Sequence, residues 1–391
     1  MKKILLFCIY FSFVCCCFAQ IISGKIQTEN GNVISNVNVY LDGTKISTAS
    51  ANDGSFQLDV QGQKSGNLIF QKDNYETSIF PLNQAIGKSV KVIINPVKEI
   101  EEVVIIPYTE QAYKDFINYF LDKFLGFDRE GVTIKNQRTL KFSYDKKNQF
   151  LKVKAPQTLV IENKNLGYTI QYNLISFEAD FKKKTTSYLG TSFFKETNSK
   201  KNTILNRMNA YSGSLMHFFR SLYNNELEKE GFIVNHAKQI PNPKYPSEVE
   251  LQKLKGYYDF VKDQKVMTVK LSPELQDISD RKFKESQFVL AILKTKIKES
   301  DFTKRRDGKL FLDFDDLLMV NYQKHYYEIK KGEFVKSASA VSQSSIVHPE
   351  ALEFEVFPEG NTSEPDLLIL EEHFSNQNVS KMLPLDYQLG N

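Results

Sequence analysis

Apolar and polar positions change their period along this chain, and the changes divide it. From Ile22 to about Ile106 the pattern is short and strand-like. Ile22–Gln27 reads as a strand and Asn30-Gly31 as a turn. Val37-Asn38-Val39-Tyr40-Leu41 and Phe56-Gln57-Leu58-Asp59-Val60 alternate as half-buried strands do. Asp42-Gly43 and Asn52-Asp53-Gly54 mark turns on either side of a Thr- and Ser-rich strand, Lys45–Ser50. Leu68–Phe70, Thr77–Phe80 and Val90–Ile94 bring the count to about seven strands. Turn signals every 8–12 residues predict an all-β sandwich over residues 20–106.

After Pro107 a helical period takes over. Thr109 is placed to cap a helix to about Leu125, with Tyr113, Phe116, Ile117, Phe120, Leu121 and Phe124 on one face and Gly126 at its end. Strands are predicted at Leu140–Tyr144, Phe150–Lys154, Leu159–Ile161, Tyr168–Phe177 and Phe181–Tyr188, the long alternation pointing to an antiparallel meander. Asn202–Met208 and Ser214–Glu230 read as helices, and Ile240–Ser247, with its three prolines, as a linker-like loop. Short strands follow at Val266–Leu271, Phe288–Thr295, Lys309–Phe314, Leu318–Tyr322 and Ala351–Val356, then a short helix near Val379–Leu383. Residues 107–391 are thus expected to be an α+β domain with an antiparallel sheet.

The first 19 residues stand apart. Met1-Lys2-Lys3 precedes an apolar run from Ile4 to Phe18, and Cys17-Phe18-Ala19 places small residues before Gln20. A short basic start, an apolar stretch and small residues at the cleavage position define a secretory signal. The run is shorter than the roughly 20 residues a membrane-spanning helix needs. A lipoprotein signal would need a small residue before the modified cysteine, but Cys15 follows Val14, and Cys16 and Cys17 follow cysteines. All four cysteines (Cys8, Cys15, Cys16, Cys17) lie within the signal. The mature chain is therefore expected to have no disulfide, thiolate metal site or cysteine nucleophile. Without Lys2 and Lys3 the formal charge falls from +4 to about +2, which leaves no electrostatic footprint for nucleic acid. Lys182–Lys184 and Lys304–Arg306 are local runs suited to strand ends. No second apolar stretch is long enough to span a membrane.

Several stretches carry a resemblance. Gly24-Lys25-Ile26, Val37-Asn38-Val39, Gly43-Thr44 and Thr48-Ala49-Ser50-Ala51-Asn52-Asp53-Gly54-Ser55-Phe56 resemble the carboxypeptidase regulatory-like domain family. Asn36 and Asn74 stand where that family usually has glycine, a departure that asparagine's tolerance of left-handed backbone accommodates. The resemblance implies a prealbumin-like sandwich, accessory to peptidases rather than a peptidase itself, with a docking or carbohydrate-binding-like role. Ile100–Ile105 resembles the strand that follows this domain in envelope proteins. Leu159–Tyr168, Asn206–Phe218 and Met382–Tyr387 resemble a region of envelope proteins that carry the same module and to which no activity is assigned.

Candidate chemistry is sparse. His325-Tyr326-Tyr327-Glu328 has the His-x-x-Glu spacing of a zinc peptidase. In a strand-like stretch, however, positions i and i+3 face opposite ways. No Gly-x-Ser-x-Gly elbow is present. Ser214 and His217 are three apart on one predicted helix, but no carboxylate is evident to orient the histidine. Arg207, Tyr211, His217 and Arg220 lie on neighbouring turns, where their donors could receive an anion; they are the candidate ligand-binding residues. Asp313, Asp315 and Asp316 lack the Gly-bearing loop of a calcium site. Gly54 supplies positive φ and Asp53 bonds its own turn. Any of 47 acids could supply a glycosidase pair, so spacing alone does not choose one.

These observations predict a non-enzymatic exported protein, periplasmic or outer-membrane-associated, that docks or binds an envelope protein or glycan and needs no cofactor or metal. Two alternatives remain: a carbohydrate-binding protein, which would stack sugars on exposed members of its 19 Tyr and 30 Phe though it has no Trp, and a hydrolase of cell-wall or peptide substrates.

Overall fold

The computed structural model describes residues 20–63, 65–97, 106–263, 270–351 and 353–390. The signal, the stretch Ile100–Ile105 and most of the strand expected at Val266–Leu271 lie outside them. Strands predominate and form several antiparallel sheets.

The first seven strands are β1 (Ile21–Gln27), β2 (Asn38–Leu41), β3 (Ser47–Ala49), β4 (Ser55–Asp59), β5 (Asn67–Gln71), β6 (Ser78–Pro81) and β7 (Ser89–Ile93), with a single helical turn α1 (Leu82–Ala85) before β7. They form a three-stranded sheet ordered β4-β1-β7 and a four-stranded sheet ordered β3-β2-β5-β6. The β1–β7 pair is parallel. Ile22, Phe56 and Val92 from one sheet and Val39, Leu41 and Phe70 from the other share one buried cluster. The alternation of β4, whose Phe56 and Leu58 are buried between exposed neighbours, gives it one face in this core. Asn36 (φ 53°) and Asn74 (φ 67°) do adopt left-handed backbone. Ser55 donates from its N–H (3.0 Å) and Oγ (2.6 Å) to Asp53 Oδ1, so that carboxylate belongs to its own turn.

Helix α2 (Glu110–Phe124) begins where expected: Thr109 Oγ accepts the Ala112 N–H at 3.0 Å. It lays Tyr113, Phe120 and Phe124 on a six-stranded antiparallel sheet made of β8 (Val132–Ile134), β9 (Lys141–Asp145), β10 (Phe150–Lys154), β11 (Leu159–Asn163), β12 (Tyr168–Asp180) and β13 (Thr185–Glu196). Tyr113 meets Phe142 edge-on at 5.2 Å, and Phe124 meets Tyr172 likewise at 5.1 Å. Much of the chain's aromatic content is spent in this core.

Helices α3 (Lys201–Tyr211) and α4 (Leu215–Tyr223) come next. The helix expected to run from Ser214 to Glu230 stops seven residues early. Asn224 caps it, Asn225 is left-handed (φ 56°), and the chain turns back. The last part holds β14 (Phe232–Pro241), α5 (Glu248–Asp263), α6 (Pro273–Lys284), β15 (Phe288–Lys294), β16 (Thr303–Arg306), β17 (Lys309–Leu312), β18 (Leu317–Lys330), β19 (Glu333–Pro349), β20 (Phe354–Val356) and β21 (Leu368–Glu372). The linker expected at Ile240–Ser247 begins inside β14, and α5 and α6 form a helical pair in a stretch where no helix was expected. Val379–Lys381 is a single 3-10 turn rather than a helix to Leu383.

A five-stranded sheet ordered β15-β14-β18-β19-β21 dominates this part. One face is covered: Phe218, Phe219 and Leu222 of α4 pack on Phe232, Val234, Val320 and Tyr322, together with Leu310, Leu312 and Phe354 of the small β16-β17-β20 sheet.

The first two-sheet unit is joined tightly to β13 and to the C-terminal segment. Gly43 N–H donates to the Ser192 carbonyl (2.7 Å), Ser192 N–H to Asp42 Oδ1 (2.8 Å), and Leu385 N–H to the Gly43 carbonyl (2.7 Å). Gly43 has φ 72°, and a Cβ there would lie 2.9 Å from Leu385 Cδ1, so this junction requires glycine.

Candidate functional site

The four residues proposed from sequence do not form one open receptor. Arg207 is 1% exposed. Its Nε donates to the Leu166 carbonyl (2.7 Å), Nη1 to Glu196 (2.8 Å) and Nη2 to the Asn198 carbonyl (2.7 Å), while its guanidinium lies 4.1 Å from the Tyr168 ring centre. Arg220 donates from Nε to the Glu359 carbonyl (3.0 Å), from Nη1 to that of Tyr387 (2.9 Å) and from Nη2 to that of Leu385 (2.9 Å). Both arginines clamp backbone, and an anion would have to displace those carbonyls.

Tyr211 and His217 do meet, with ring centres 4.8 Å apart. Ser214 Oγ accepts the backbone N–H of His217 (3.0 Å) as the cap of α4; it does not face the imidazole as a nucleophile. His217 Nδ1 accepts the Gly213 N–H (3.1 Å), so its proton sits on Nε2, aimed at Glu230 Oε2 at 3.4 Å. Burial holds the imidazole well below its ordinary pKa, against the pull of Glu230. Burial pushes the Glu230 carboxyl up, but Lys336 (3.6 Å) and His217 outweigh it and hold it low. Glu230 is the orienting carboxylate the sequence did not reveal: it lies 13 residues away, beyond the turn after α4. The result is a neutral histidine inside an aromatic shell of Tyr211, Phe232 and Tyr322.

His325 and Glu328 lie on β18 opposite Ala338 and Val335 of β19, an odd and an even position on opposite faces. Glu328 accepts from Ser337 Oγ (2.6 Å) and Lys330 (2.7 Å). Asp313 pairs with Lys304, and Asp316 with Lys238 (2.9 Å) and His236 (3.4 Å). Among the described residues no group of three or more His, Cys, Asp or Glu side chains is arranged to hold a metal ion. Among the described tyrosines, Tyr258 on α5 and Tyr326 on β18 are the exposed ones, and two residues on separate elements do not make a row.

An unexpected surface lies on the face of the five-stranded sheet opposite α4. Leu317 and Met319 of β18, Ile346 of β19, Gln239 of β14 and Phe288 and Leu290 of β15 floor a cleft of about 420 Å³ that ends at Glu371 and Glu372 of β21. Strand β15 is the sheet's edge, and no strand pairs with its outer side among the described residues. Its run Phe288-Val289-Leu290-Ala291-Ile292-Leu293 carries no charge, and Phe288 (45%), Ile292 (49%) and Leu293 (54%) are strongly exposed. Soluble proteins usually protect such an edge with charge, proline or a covering element. Val249, Phe260 and Phe283 of the helical pair that joins β14 to β15 are exposed as well. No helix among the described residues is long and apolar enough to cross a membrane.

No protein-family model matches this chain, and no curated protein is similar to it in sequence.

Proposed function

We propose that this chain is an exported, non-enzymatic protein of the bacterial envelope that works by docking. Its seat is the face of the five-stranded sheet opposite α4, together with the edge strand β15. The observation that carries this reading is β15, whose first six residues, Phe288–Leu293, are apolar on both faces at a sheet edge. Contiguous exposed apolar surface of this kind marks interaction sites, and a free edge offers backbone groups to an incoming strand. The polar groups with chemical potential point the same way. The His217–Glu230 pair, both arginines and the His-x-x-Glu segment are engaged within the fold, which favours docking over hydrolysis. The scattered exposed tyrosines weigh against a sugar-stacking platform.

Within this reading the first unit is a carboxypeptidase regulatory-like sandwich whose face around Tyr40 and Gly43 is committed to the rest of the chain. Its contribution is structural support. Export rests on the signal-like first 19 residues.

The test is co-purification. Tagged full-length protein is cross-linked in intact cells, and the proteins that accompany it from the envelope fraction are identified, in parallel with Leu290→Asp. A partner recovered with the native chain and lost with the variant supports docking at this face. A partner recovered equally with both contradicts it.

A further inference from the structure

The residue ahead of β1 carries a reactive pair of groups that docking does not use. The signal-like segment ends at Ala19, so its removal makes Gln20 the first residue and frees its α-amine. Gln20 lies one residue ahead of β1 (Ile21–Gln27). The ladder holds it by its backbone carbonyl, which accepts the Val60 N–H at 3.1 Å. Its backbone nitrogen donates to no acceptor among the described residues, and its side-chain Oε1 is enclosed without a donor. An enclosed carbonyl lacking a hydrogen bond is unfavourable, so the fold does nothing to keep the amide in that rotamer. Amine and amide, the two groups that must meet to close a ring, are both unclaimed, while the carbonyl beside them is anchored.

Resting on the export part of the reading above, we propose that Gln20 of the mature chain is converted to pyroglutamate. The α-nitrogen bonds to the side-chain carbonyl carbon Cδ, the Cδ–Nε2 bond breaks, and Nε2 leaves as ammonia with a proton from the amine. The product is a five-membered lactam, and no oxidant, reductant or co-reactant is consumed. An α-amine titrates near neutrality, so part of it is unprotonated and nucleophilic there.

The position gives this modification a consequence. Strand β1 is the middle strand of its sheet, antiparallel to β4 and parallel to β7. Ile21 and Ile22 pair with Asp59 and Leu58, and Ile22 is buried in the core of the first unit. An exopeptidase trimming from a free amine would reach that core side chain after Gln20 and Ile21. A lactam carries no terminal charge and offers no amine for such an enzyme to grip.

The experiment uses the full chain, expressed in a bacterium with an intact secretion pathway. The recovered protein stands in neutral buffer, its amines are dimethylated, and only then is it digested and its N-terminal peptide identified by mass. Labelling the intact chain first keeps closure in the folded protein apart from closure during digestion. In the bulk of the protein the peptide is expected to begin at Gln20, to be unlabelled at its terminus and to be lighter by one ammonia. Gln20→Asn, whose side chain is one carbon too short for that ring, should begin at the same position and carry the label. Exposed to an aminopeptidase, Gln20→Asn should lose residue 20 while the native terminus loses none. A labelled Gln20 in the bulk of the protein overturns the proposal and leaves export standing. A terminus at any other residue overturns it too, and one at Met1 overturns export as well. Equal trimming of the two proteins overturns the protective role.

Discussion

The hydroxyl groups of Tyr40 and Thr191 lie 2.9 Å apart, buried, across 151 residues of sequence. Around them Tyr40, Ile69 and Phe193 form a small core of their own, with the Tyr40 and Phe193 rings 4.6 Å apart. The first two-sheet unit is therefore seated on β13. The face of the first unit around Tyr40 is occupied by the protein's own chain.

The same junction holds a buried acid. Burial pushes Asp42 from its ordinary 3.8 up to about 6, outweighing the Ser192 N–H that it accepts and the backbone N–H of neighbouring Gly43. A carboxyl raised on folding contributes stability that is fully present below pH 3.8 and is lost as pH rises through about 6. Asp42→Asn keeps an acceptor and removes the charge. It is expected to raise unfolding free energy near pH 7 by on the order of 2–3 kcal/mol and to flatten the slope between about pH 4 and 6, read by urea titrations at several pH values.

His217 acts in the opposite sense. Its folded pKa lies below the ordinary 6.5, chiefly through burial, so stability is complete above that pH and falls as the solution is acidified. His217→Gln should remove this part of the acid sensitivity, again by urea titration. Ser214→Ala, which deletes the cap of α4, should cost about 1 kcal/mol with no change in pH slope.

Arg220 ties the C-terminal segment down. Arg220→Ala removes three charged donors from the carbonyls of Glu359, Leu385 and Tyr387. The expected loss is on the order of 2–3 kcal/mol, with faster amide hydrogen exchange at Leu385 and Tyr387. Arg220→Lys should not restore it, because one ammonium cannot reach three carbonyls in a planar fork.

Much of this architecture is legible in the sequence where one physical signal acts alone. Thr109 capping an aromatic stripe yields α2, and alternation from Tyr168, shifted only at the bulge between Leu174 and Ser176, yields β12. Where signals conflict, the pattern misleads. The strand β19 spells Ser-Ala-Ser-Ala-Val-Ser-Gln-Ser-Ser over residues 337–345, too polar to announce a strand, and its long antiparallel pairing with β18 imposes it. Helix α5 carries Gly256 and buries little beyond Leu254, so no apolar stripe marks it. Glu230 could not be matched to His217 because a turn, not a helical repeat, brings it back. The cleft draws on five strands between Gln239 and Glu372, and only their sheet order assembles it.

Export makes a separate prediction. Expressed in a bacterium with an intact secretion pathway, the mature protein should begin at Gln20 and fractionate with the envelope. Peptide sequencing that finds Met1 or Lys2 in the bulk of the protein would contradict export.

The central claim is that the β15 face docks a partner, and position-specific photo-cross-linking tests it most directly. A photoreactive residue is placed at Leu290 and, as a control, at exposed Lys88 of the first unit. Docking predicts a discrete adduct from position 290 in the envelope fraction and none from position 88. No adduct from position 290, or the same adducts from both positions, would contradict it.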